Sequence, residues 1–418
     1  MSLRIASVVG ARPNFIKVAP IYRALKGHVE HEIIHTGQHY DFGLSKIFFK
    51  EFDLPDPDFN LEVGSGLPGY QIGEMTKKLE HVFLNQNDPD QTKKNNLSPK
   101  HRNKHVRDER SKPKYDLVLV YGDTNSTLAG ALSAFKSGIK VGHIESGLRS
   151  FDRRMPEEIN RILTDQLSEY HFASTKTAMA NLNKERVWGK NIFTGDLSVE
   201  VVREASRLSI KRSSVLHKLG LDPKSFILFT MHRAENTNSS KILASIIKAF
   251  ELISKKSDTD EGHSFDRSIV YPIHPGTKKK FEESGLFERL EKCPNLILTD
   301  PVGYIDFIQL VRNASKIMTD SGGVQKEAYI LGVPCITIRE NTEWIETVEE
   351  GWNKLVTVNP SRIAEFALNW KPTIHSKSRI SKASSYGISE YNSGGLKQVF
   401  GTGNTSSLIR EFILSLNK

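Results

Sequence analysis

The feature that most constrains the fold is a regular alternation of short apolar runs with longer amphipathic segments. The runs have the length of β-strands and end in polar residues or glycine, and they occur at 4–10, 31–37, 116–123, 141–146, 170–175, 225–232, 268–274, 295–300, 315–320, 334–339 and 354–358. Helical spacing fills the intervals, as in 14–26, 126–138 and 241–254. Strands that alternate with helices in this way predict parallel sheets covered on both faces, and therefore an α/β fold.

The alternation forms two series that separate near residues 185–200, and 418 residues exceed what one hydrophobic core usually supports. We therefore predict two doubly wound domains with a cleft between them. The first covers 1–188 and includes a final amphipathic helix at about 405–418, and the second covers 189–404.

The chain carries a net charge of +9, and over half of this excess lies in residues 88–114, where nine Lys and Arg residues face four acids. No aromatic residues interleave these charges, so a solvated loop is predicted rather than a nucleic-acid platform. No apolar run reaches the length of about 18 residues that suggests a membrane span. The two cysteines, Cys293 and Cys335, suggest neither a metal site nor a disulfide framework, and a cytoplasmic location is expected.

Ligands of doubly wound sheets bind beyond the carboxyl ends of the strands. Several of these ends carry polar or glycine residues, at 10–13, 122–123, 145, 232–233, 274 and 320–323. His232 and His274 end two strands of the second domain. Such histidines donate to a diphosphate, shuttle protons or serve the structure alone.

Residues 320–323 read Asp-Ser-Gly-Gly and lead from a strand into a helical segment. Glycines permit positive φ and close backbone approach, and the start of a helix attracts anions, most often phosphate. Glu327, one to two turns later, is placed to accept both hydroxyls of a ribose. The alternative is a tight turn with Ser321 as the N-cap. No G-x-G-x-x-G sequence follows the first strand, so a dinucleotide cofactor gains no support.

Residues 8–17 (VVGARPNFIK) follow the same logic in the first domain. Gly10 ends a strand, Arg12 offers a planar fork suited to phosphate, and Lys17 follows it in the next helix. Two anion half-sites, one in each domain, suggest a bound diphosphate. A surface arginine and lysine are the alternative.

Asp123 and Glu145 end successive strands, which brings both carboxylates to one rim if those strands are neighbours. Glu157 and Glu158 lie at the start of a helix. They either add a third carboxylate for proton transfer or only complement the helix dipole.

Together these stretches resemble the non-hydrolysing UDP-N-acetylglucosamine 2-epimerases. The matching sequences occur in family order as GARPNFIK, HTGQHYD, YGDTNSTLAGALSA, GHIESGLRSFDRRMPEEINRILTDQLS, MHRAEN, YPIHP and TDSGGVQKEA. They span nearly the whole chain outside the polar insertions and the tail. The resemblance implies a GT-B fold, in which two Rossmann-like domains close on a UDP-sugar, commonly as a homodimer, with neither a metal nor a nicotinamide cofactor.

The resemblance also implies roles for individual residues. Asp123, Glu145 and Glu157 match the catalytic carboxylates. The diphosphate contacts match Arg12, Lys17 and His232, and His232 also counts as a catalytic candidate. The remaining UDP-binding candidates are His274, the phosphate-site residues Ser321, Gly322 and Gly323, and the ribose contact Glu327.

The implied reaction interconverts UDP-N-acetylglucosamine and UDP-N-acetylmannosamine. The C2 hydrogen has no adjacent carbonyl to acidify it, so UDP has to leave first and make C1 oxocarbenium-like. A carboxylate then takes the C2 proton to give a glycal, and UDP adds back after reprotonation from the opposite face. Which carboxylate acts at which face stays open.

Two departures from the family pattern affect the choice of substrate. Residues 342–346 read TEWIE where many relatives read TERPE, and 194–196 read TGD. These are similar to the branch that acts on UDP-2,3-diacetamido-2,3-dideoxyglucuronate. Residues 38–49 lack the bacterial pattern for an effector pocket, and 376–398 are unassigned. A GT-B glycosyltransferase, a hydrolysing epimerase and a non-catalytic UDP-sugar sensor are the other readings.

Overall fold

The computed structural model describes residues 2–38, 49, 51–85, 113–255, 268–372 and 398–416. Most of the basic segment 88–114, and most of 38–49 and 376–398, lies outside these residues. The chain divides into two compact units. Unit 1 comprises Met1–Val201 and Val399–Lys418, and unit 2 comprises Val202–Gln398.

Unit 1 contains a parallel sheet of seven strands in the order β3-β2-β1-β4-β5-β6-β7. The strands are β1 (Arg4–Val9), β2 (Glu30–His35), β3 (Phe59–Asn60), β4 (Leu117–Tyr121), β5 (Lys140–Ser146), β6 (Tyr170–Ala173) and β7 (Lys190–Phe193). The described helices between them are α1 (Arg12–Leu25), α2 (Pro68–Phe83), α3 (Asn125–Lys136), α4 (Pro156–Leu167) and α5 (Lys176–Glu185). A sixth helix, α6 (Ser198–Arg212), carries the chain into unit 2.

Unit 2 contains a parallel sheet of six strands in the order β10-β9-β8-β11-β12-β13. The strands are β8 (Phe226–Thr230), β9 (Ser268–Pro272), β10 (Leu296–Thr299), β11 (Lys316–Thr319), β12 (Cys335–Thr337) and β13 (Asn353–Leu355). The described helices of this unit are α7 (Val215–Leu219), α8 (Ala234–Thr237), α9 (Ser240–Ser254), α10 (Pro275–Glu283), α11 (Phe287–Glu291), α12 (Tyr304–Asn313), α13 (Gly322–Ile330), α14 (Ile345–Glu349) and α15 (Pro360–Asn369).

The central strand β4 is apolar along its whole length because helices cover both faces of the sheet. All five residues of β4 (LVLVY) are buried. Val8 and Val120 of unit 1 pack with Leu79 and Phe83 of α2 and with Ala129 of α3. Because β4 is buried on both faces, it appears in the sequence as an uninterrupted apolar run.

The predicted α/β class with two doubly wound sheets is confirmed, and each predicted strand is present. The strands β3 and β7 were not predicted. β3 has only two residues, and β7 is an edge strand whose side chains are partly exposed. β7 pairs with β6 in unit 1, so the predicted division at 188/189 falls before this last strand of the first sheet.

The last described helix, α16 (Thr405–Ser415), belongs to unit 1. The Phe412 ring lies edge-on to Tyr170 and Phe172 of β6, with centroid separations of 5.1 and 5.6 Å. The backbone N–H of Ser406 donates to the Glu200 carboxylate at 2.7 Å. Among the described helices, none combines the length and the hydropathy that crossing a membrane requires.

Each sheet changes its direction of winding at one position. β1 lies between β2 and β4 in unit 1, and β8 lies between β9 and β11 in unit 2. Ligands of such sheets bind outside the carboxyl ends of the strands at this position. The candidate sites are therefore the ends of β1 and β4 in unit 1 and of β8 and β11 in unit 2.

Candidate active site

In unit 1, a tight turn at the end of β4 presents Asp123. Gly122 has a φ of +68°, a conformation that side chains disfavour, and Asp123 follows it directly. The Arg161 guanidinium of α4 forms an ion pair with the Asp123 carboxylate. The Asn160 side chain donates to the Asp123 carbonyl at 3.0 Å. Two neighbouring residues of α4 therefore fix both the backbone and the carboxylate of Asp123, whose side chain is 33% exposed.

Glu145 lies beside this turn. It is the next-to-last residue of β5, at a point where the pairing with β6 shifts, and its φ is +71°. Positive φ at a non-glycine residue costs on the order of 1–3 kcal/mol and is concentrated at functional sites. Lys17 of α1 forms a buried ion pair with the Glu145 carboxylate.

The position of Gly122 shows how close these groups are to one another. A Cβ atom built on Gly122 would lie 3.5 Å from Lys17 Nζ and 3.8 Å from a Glu145 carboxylate oxygen. The strands β4 and β5 are neighbours, as the argument about Asp123 and Glu145 requires. The structure thus brings these two carboxylates to the same rim, together with Lys17.

The two glutamates at the start of α4 differ in their surroundings. Glu158 is buried and accepts hydrogen bonds from the backbone N–H groups of Ser150 and Phe151, both at 2.9 Å, and from Arg161 at 2.9 Å. It organises the loop before α4. Glu157 is partly exposed, one turn before Arg161 on the helix that holds Asp123. Of the pair, Glu157 therefore remains the candidate for the third catalytic carboxylate.

Arg12 and Lys17, the two residues predicted to contact a phosphate, both lie on α1. Arg12 is the first residue of α1, but its side chain lies outside the described part of the structure, so its phosphate contact stays a prediction. Lys17 pairs with Glu145, which the sequence did not indicate, and its predicted contact with a diphosphate also stays a prediction.

In unit 2, Asp320 joins the ends of β8 and β11. Its buried carboxylate accepts hydrogen bonds from the backbone N–H groups of His232 at 3.2 Å and Arg233 at 3.0 Å, and from the Asn236 side chain at 3.0 Å. Asp320 therefore holds the loop after β8 against the start of α13. Sequence reasoning singled out the neighbouring glycines and serine but gave this aspartate no role of its own.

Ser321 is the N-cap residue of α13, and Gly322 and Gly323 form its first turn. Neither glycine has positive φ. A Cβ atom on Gly322 would lie 2.1 Å from the Glu343 carboxylate and 3.3 Å from Trp344 Nε1, so a side chain there would require Glu343 to move. Positive φ is therefore not the reason for glycine at this turn, and the close approach of a phosphate stays a prediction.

The other predicted residues of unit 2 lie at or near these strand ends. The His232 side chain is 53% exposed, with Nδ1 3.5 Å from the Asp320 carboxylate. His274 is the N-cap of α10, where Nδ1 accepts a hydrogen bond from the Gly276 N–H at 3.1 Å. Glu327 is buried in α13 and accepts a hydrogen bond from the Tyr304 hydroxyl at 2.9 Å. Their contacts with UDP stay predictions.

The segment 342–346, which departs from the family pattern, packs on α13. The Lys326 ammonium lies 4.2 Å from the centre of the Trp344 ring, and Thr342 donates to Gln325 at 2.6 Å. Trp344 is buried. The tryptophan is thus part of the wall that the first turn of α13 faces.

Asn160 and Arg161 were not predicted as functional residues. A signal for them exists, because they follow Glu157 by three and four positions and so share its face of a helix. Their contact with Asp123 across 37 and 38 positions could not be read from that spacing.

Comparison with known proteins places these features in a family. A family model described as UDP-N-acetylglucosamine 2-epimerase matches residues 23–92 and 104–413. The gap between the two matched ranges falls inside the basic segment.

The chain aligns with relatives over most of its length and theirs. A UDP-N-acetylglucosamine 2-epimerase homologue of Methanococcus maripaludis is 46% identical over 371 residues, which is 88% of this chain and 93% of the relative. The UDP-2,3-diacetamido-2,3-dideoxy-D-glucuronate 2-epimerase of Pseudomonas aeruginosa is 37% identical over 99% of this chain and 100% of its own. The crystal structure of the Methanocaldococcus jannaschii UDP-GlcNAc 2-epimerase with UDP-GlcNAc and UDP superimposes with a TM-score of 0.80, at 38% identity over 99% of this chain and 100% of that chain.

Proposed function

The chain belongs to the UDP-N-acetylglucosamine 2-epimerase family, and we propose that it interconverts UDP-N-acetylglucosamine and UDP-N-acetylmannosamine. The observation that carries the proposal is the meeting of Asp123, Glu145 and Lys17 beside Gly122. Carboxylates held at one rim by buried cations suit an enzyme that moves protons on a sugar ring.

The reaction begins with cleavage of the C1–O bond, whose electron pair leaves with UDP. One carboxylate removes the C2 proton, and the electrons of the C2–H bond form the C1–C2 double bond of a glycal. A proton then returns to C2 from the opposite face, and the UDP oxygen attacks C1. Asp123, Glu145 and Glu157 are the groups we propose for these transfers. Asp123 and Glu145 lie at the ends of β4 and β5, and Glu157 lies in the first turn of α4, one turn before the Arg161 that pairs with Asp123.

For UDP itself we propose a site in unit 2. The start of α13, at Ser321–Gly323, offers backbone N–H groups to a phosphate. We propose that His232 and His274 add donors and that Glu327 binds the ribose. The contacts of Arg12 and Lys17 with the diphosphate belong to the same proposal.

A second substrate, UDP-2,3-diacetamido-2,3-dideoxyglucuronate, is favoured by one specific observation. The relative that acts on this sugar matches 99% of the chain. Trp344, which lies against Gly322, also stands where many relatives have arginine. A change at this wall alters the shape and charge next to the proposed phosphate site.

The test is incubation of the protein with UDP-GlcNAc in deuterated water, followed by NMR. Deuterium at C2 together with UDP-ManNAc supports the proposal. Free N-acetylmannosamine indicates hydrolysis instead. If UDP-GlcNAc is unchanged, the same experiment with the diacetamido uronate decides between the second substrate and a transferase or sensor, for which neither donor exchanges.

We also propose that the protein is a homodimer and works in the cytoplasm. The first proposal rests on the family resemblance, and the exposed side chains of Leu67 and Tyr70 at the start of α2 offer an apolar surface. The second is supported by two cysteines that are both free. Light scattering of the purified protein at several concentrations decides the first, and a monomeric mass throughout rejects it.

A further inference from the structure

A buried histidine lies directly beneath the turn that carries Asp123. His143 is on β5, two residues before Glu145, and is fully buried. Its Nε2 atom is 2.8 Å from the Gly122 carbonyl oxygen. Its Nδ1 atom is 2.6 Å from a carboxylate oxygen of Asp165 on α4. Both ring nitrogens therefore face oxygen atoms.

The partners of His143 decide where its hydrogens are. A backbone carbonyl can only accept a hydrogen bond, so Nε2 has to donate. An ionised carboxylate can also only accept, so Nδ1 has to donate as well if Asp165 is charged. A neutral imidazole has one N–H group and can satisfy only one of these partners.

The surroundings of Asp165 indicate that it is charged. Its carboxylate also receives the Gly147 N–H at 3.1 Å and lies 2.8 Å from the Arg149 guanidinium. Burial by itself would raise the pKa of Asp165, but the neighbouring donors, among them the permanently charged Arg149 guanidinium, outweigh it and lower the pKa below its ordinary value. Asp165 thus acts as an acceptor of several donors.

We propose that His143 is an imidazolium that positions the Gly122–Asp123 turn for the reaction. The inference rests on the proposed function, in which Asp123 is a catalytic carboxylate. The imidazolium holds the Gly122 carbonyl, and Asn160 holds the Asp123 carbonyl, so both peptide oxygens of the positive-φ turn are fixed.

A second buried histidine provides a matched control. His171 on β6 is as fully buried as His143, and its Nε2 atom lies 2.8 Å from the backbone carbonyl of Asp165. This hydrogen bond reaches neither Gly122 nor Asp123. A residue needed only for packing around Asp165 should behave like His171.

The experiment compares His143→Gln and His171→Gln in the full chain. Glutamine keeps a donor and similar volume but cannot carry the charge. We expect His143→Gln to lower kcat for deuterium exchange at C2 by about 100-fold, because small misplacements of a reacting group have effects of that order. UDP affinity and KM should change by less than about threefold, since the proposal assigns no UDP contact to His143 or to the Gly122–Asp123 turn.

His171→Gln should lower the thermal midpoint of unfolding and leave kcat within about threefold of the unsubstituted chain, as expected for a residue remote from the reacting atoms. The positioning role is rejected if His143→Gln retains kcat to the same extent as His171→Gln. It is also rejected if both variants lose kcat equally, because the loss would then reflect packing around Asp165.

A second measurement does not depend on turnover. In protein labelled with ¹⁵N-histidine, both ring nitrogens of His143 should carry a proton at neutral pH, in resonances that are absent from His143→Gln. If that variant does not fold, Asp165→Asn identifies the resonances by their shift. A bare nitrogen on His143 overturns the proposal. If the unsubstituted chain exchanges neither donor, the proposed function fails, and this spectrum alone still decides the state of His143.

Discussion

The two units have the same strand order around the crossover position but equip the carboxyl ends of their strands differently. In unit 1, buried charges meet: Lys17 pairs with Glu145, and Arg161 bridges Asp123 and Glu158. In unit 2, Asp320 accepts backbone N–H groups, and the first turn of α13 offers more of them. Charged side chains surround Asp123 and Glu145, whereas the partners of Asp320 are mainly backbone donors.

The difference shows how two sheets of the same strand order can serve two purposes, proton transfer and phosphate binding. Proton transfer needs side chains that gain and lose a proton, and such groups need cations and fixed backbone geometry around them. Holding phosphate needs donors that stay in place, which a helix start supplies without any titrating group. The comparison predicts that substitutions at Asp123 in unit 1 change turnover and that substitutions in the first turn of α13 in unit 2 change binding or folding.

The largest expected effect is that of Asp123→Asn. The amide keeps the shape of the side chain and can still face Arg161, but it cannot take a proton. We expect kcat for C2 exchange to fall by about 10²–10⁴-fold, with UDP binding by calorimetry unchanged. Asp152→Asn, in a surface pair with Arg154, is the matched control. Loss of UDP binding by Asp123→Asn would break the division between the units.

A smaller effect is expected for alanine at the two glycines of α13. Alanine at Gly322 places a Cβ atom 2.1 Å from the Glu343 carboxylate, whereas at Gly323 the nearest such contact is 3.9 Å, to Ser321 Oγ. We expect Gly322→Ala to lower the free energy of unfolding by about 1–3 kcal/mol through overpacking. Gly323→Ala should be neutral or stabilising by up to about 1 kcal/mol. Urea unfolding measures both, and equal effects would show that space is not the reason for Gly322.

The smallest effect concerns acid sensitivity and His31 of unit 1. Burial lowers the pKa of His31 from 6.5 to about 4. His31 is therefore neutral in the folded protein down to about pH 4, whereas in the unfolded chain it takes up a proton near pH 6.5. Its contribution to stability is complete above pH 6.5 and is lost as the pH falls from 6.5 towards 4.

Between about pH 7.5 and about pH 5.5, we expect His31 to account for about 1 kcal/mol of lost stability in unit 1. Urea unfolding at both pH values measures it, and His31→Gln should reduce the loss. The described histidines of unit 2, at 217, 232 and 274, are exposed, so His217→Gln should leave the pH dependence unchanged. An equal change in both variants would contradict the assignment to His31.

The fold was predictable because burial on both faces turns a strand into an apolar run. The sequence of β4, LVLVY, predicts a strand by itself. The sequence of β7, KNIF, does not, and β7 owes its strand conformation to pairing with β6 at the sheet edge. Pairing of this kind is a long-range contact. Local sequence carries little trace of it.

The candidate site was predictable in position but not in its connections. Asp123 and Glu145 were recognisable because strand ends in doubly wound sheets line the ligand site. The pairing of Lys17 with Glu145 joins residues 128 positions apart, and no spacing rule reports it. The sequence does not distinguish the roles of Glu157 and Glu158. The difference is seen only in the structure, where Glu158 accepts hydrogen bonds from the loop before α4.

The return of α16 to unit 1 has a consequence for the growing chain on the ribosome. Strand β6 has its partner Phe412 only after all of unit 2 has been made. Domains usually complete their folding in the order of their synthesis. In this chain, unit 2 is complete before α16 has been synthesised. Until then, Tyr170 and Phe172 of unit 1 lack the contact with Phe412.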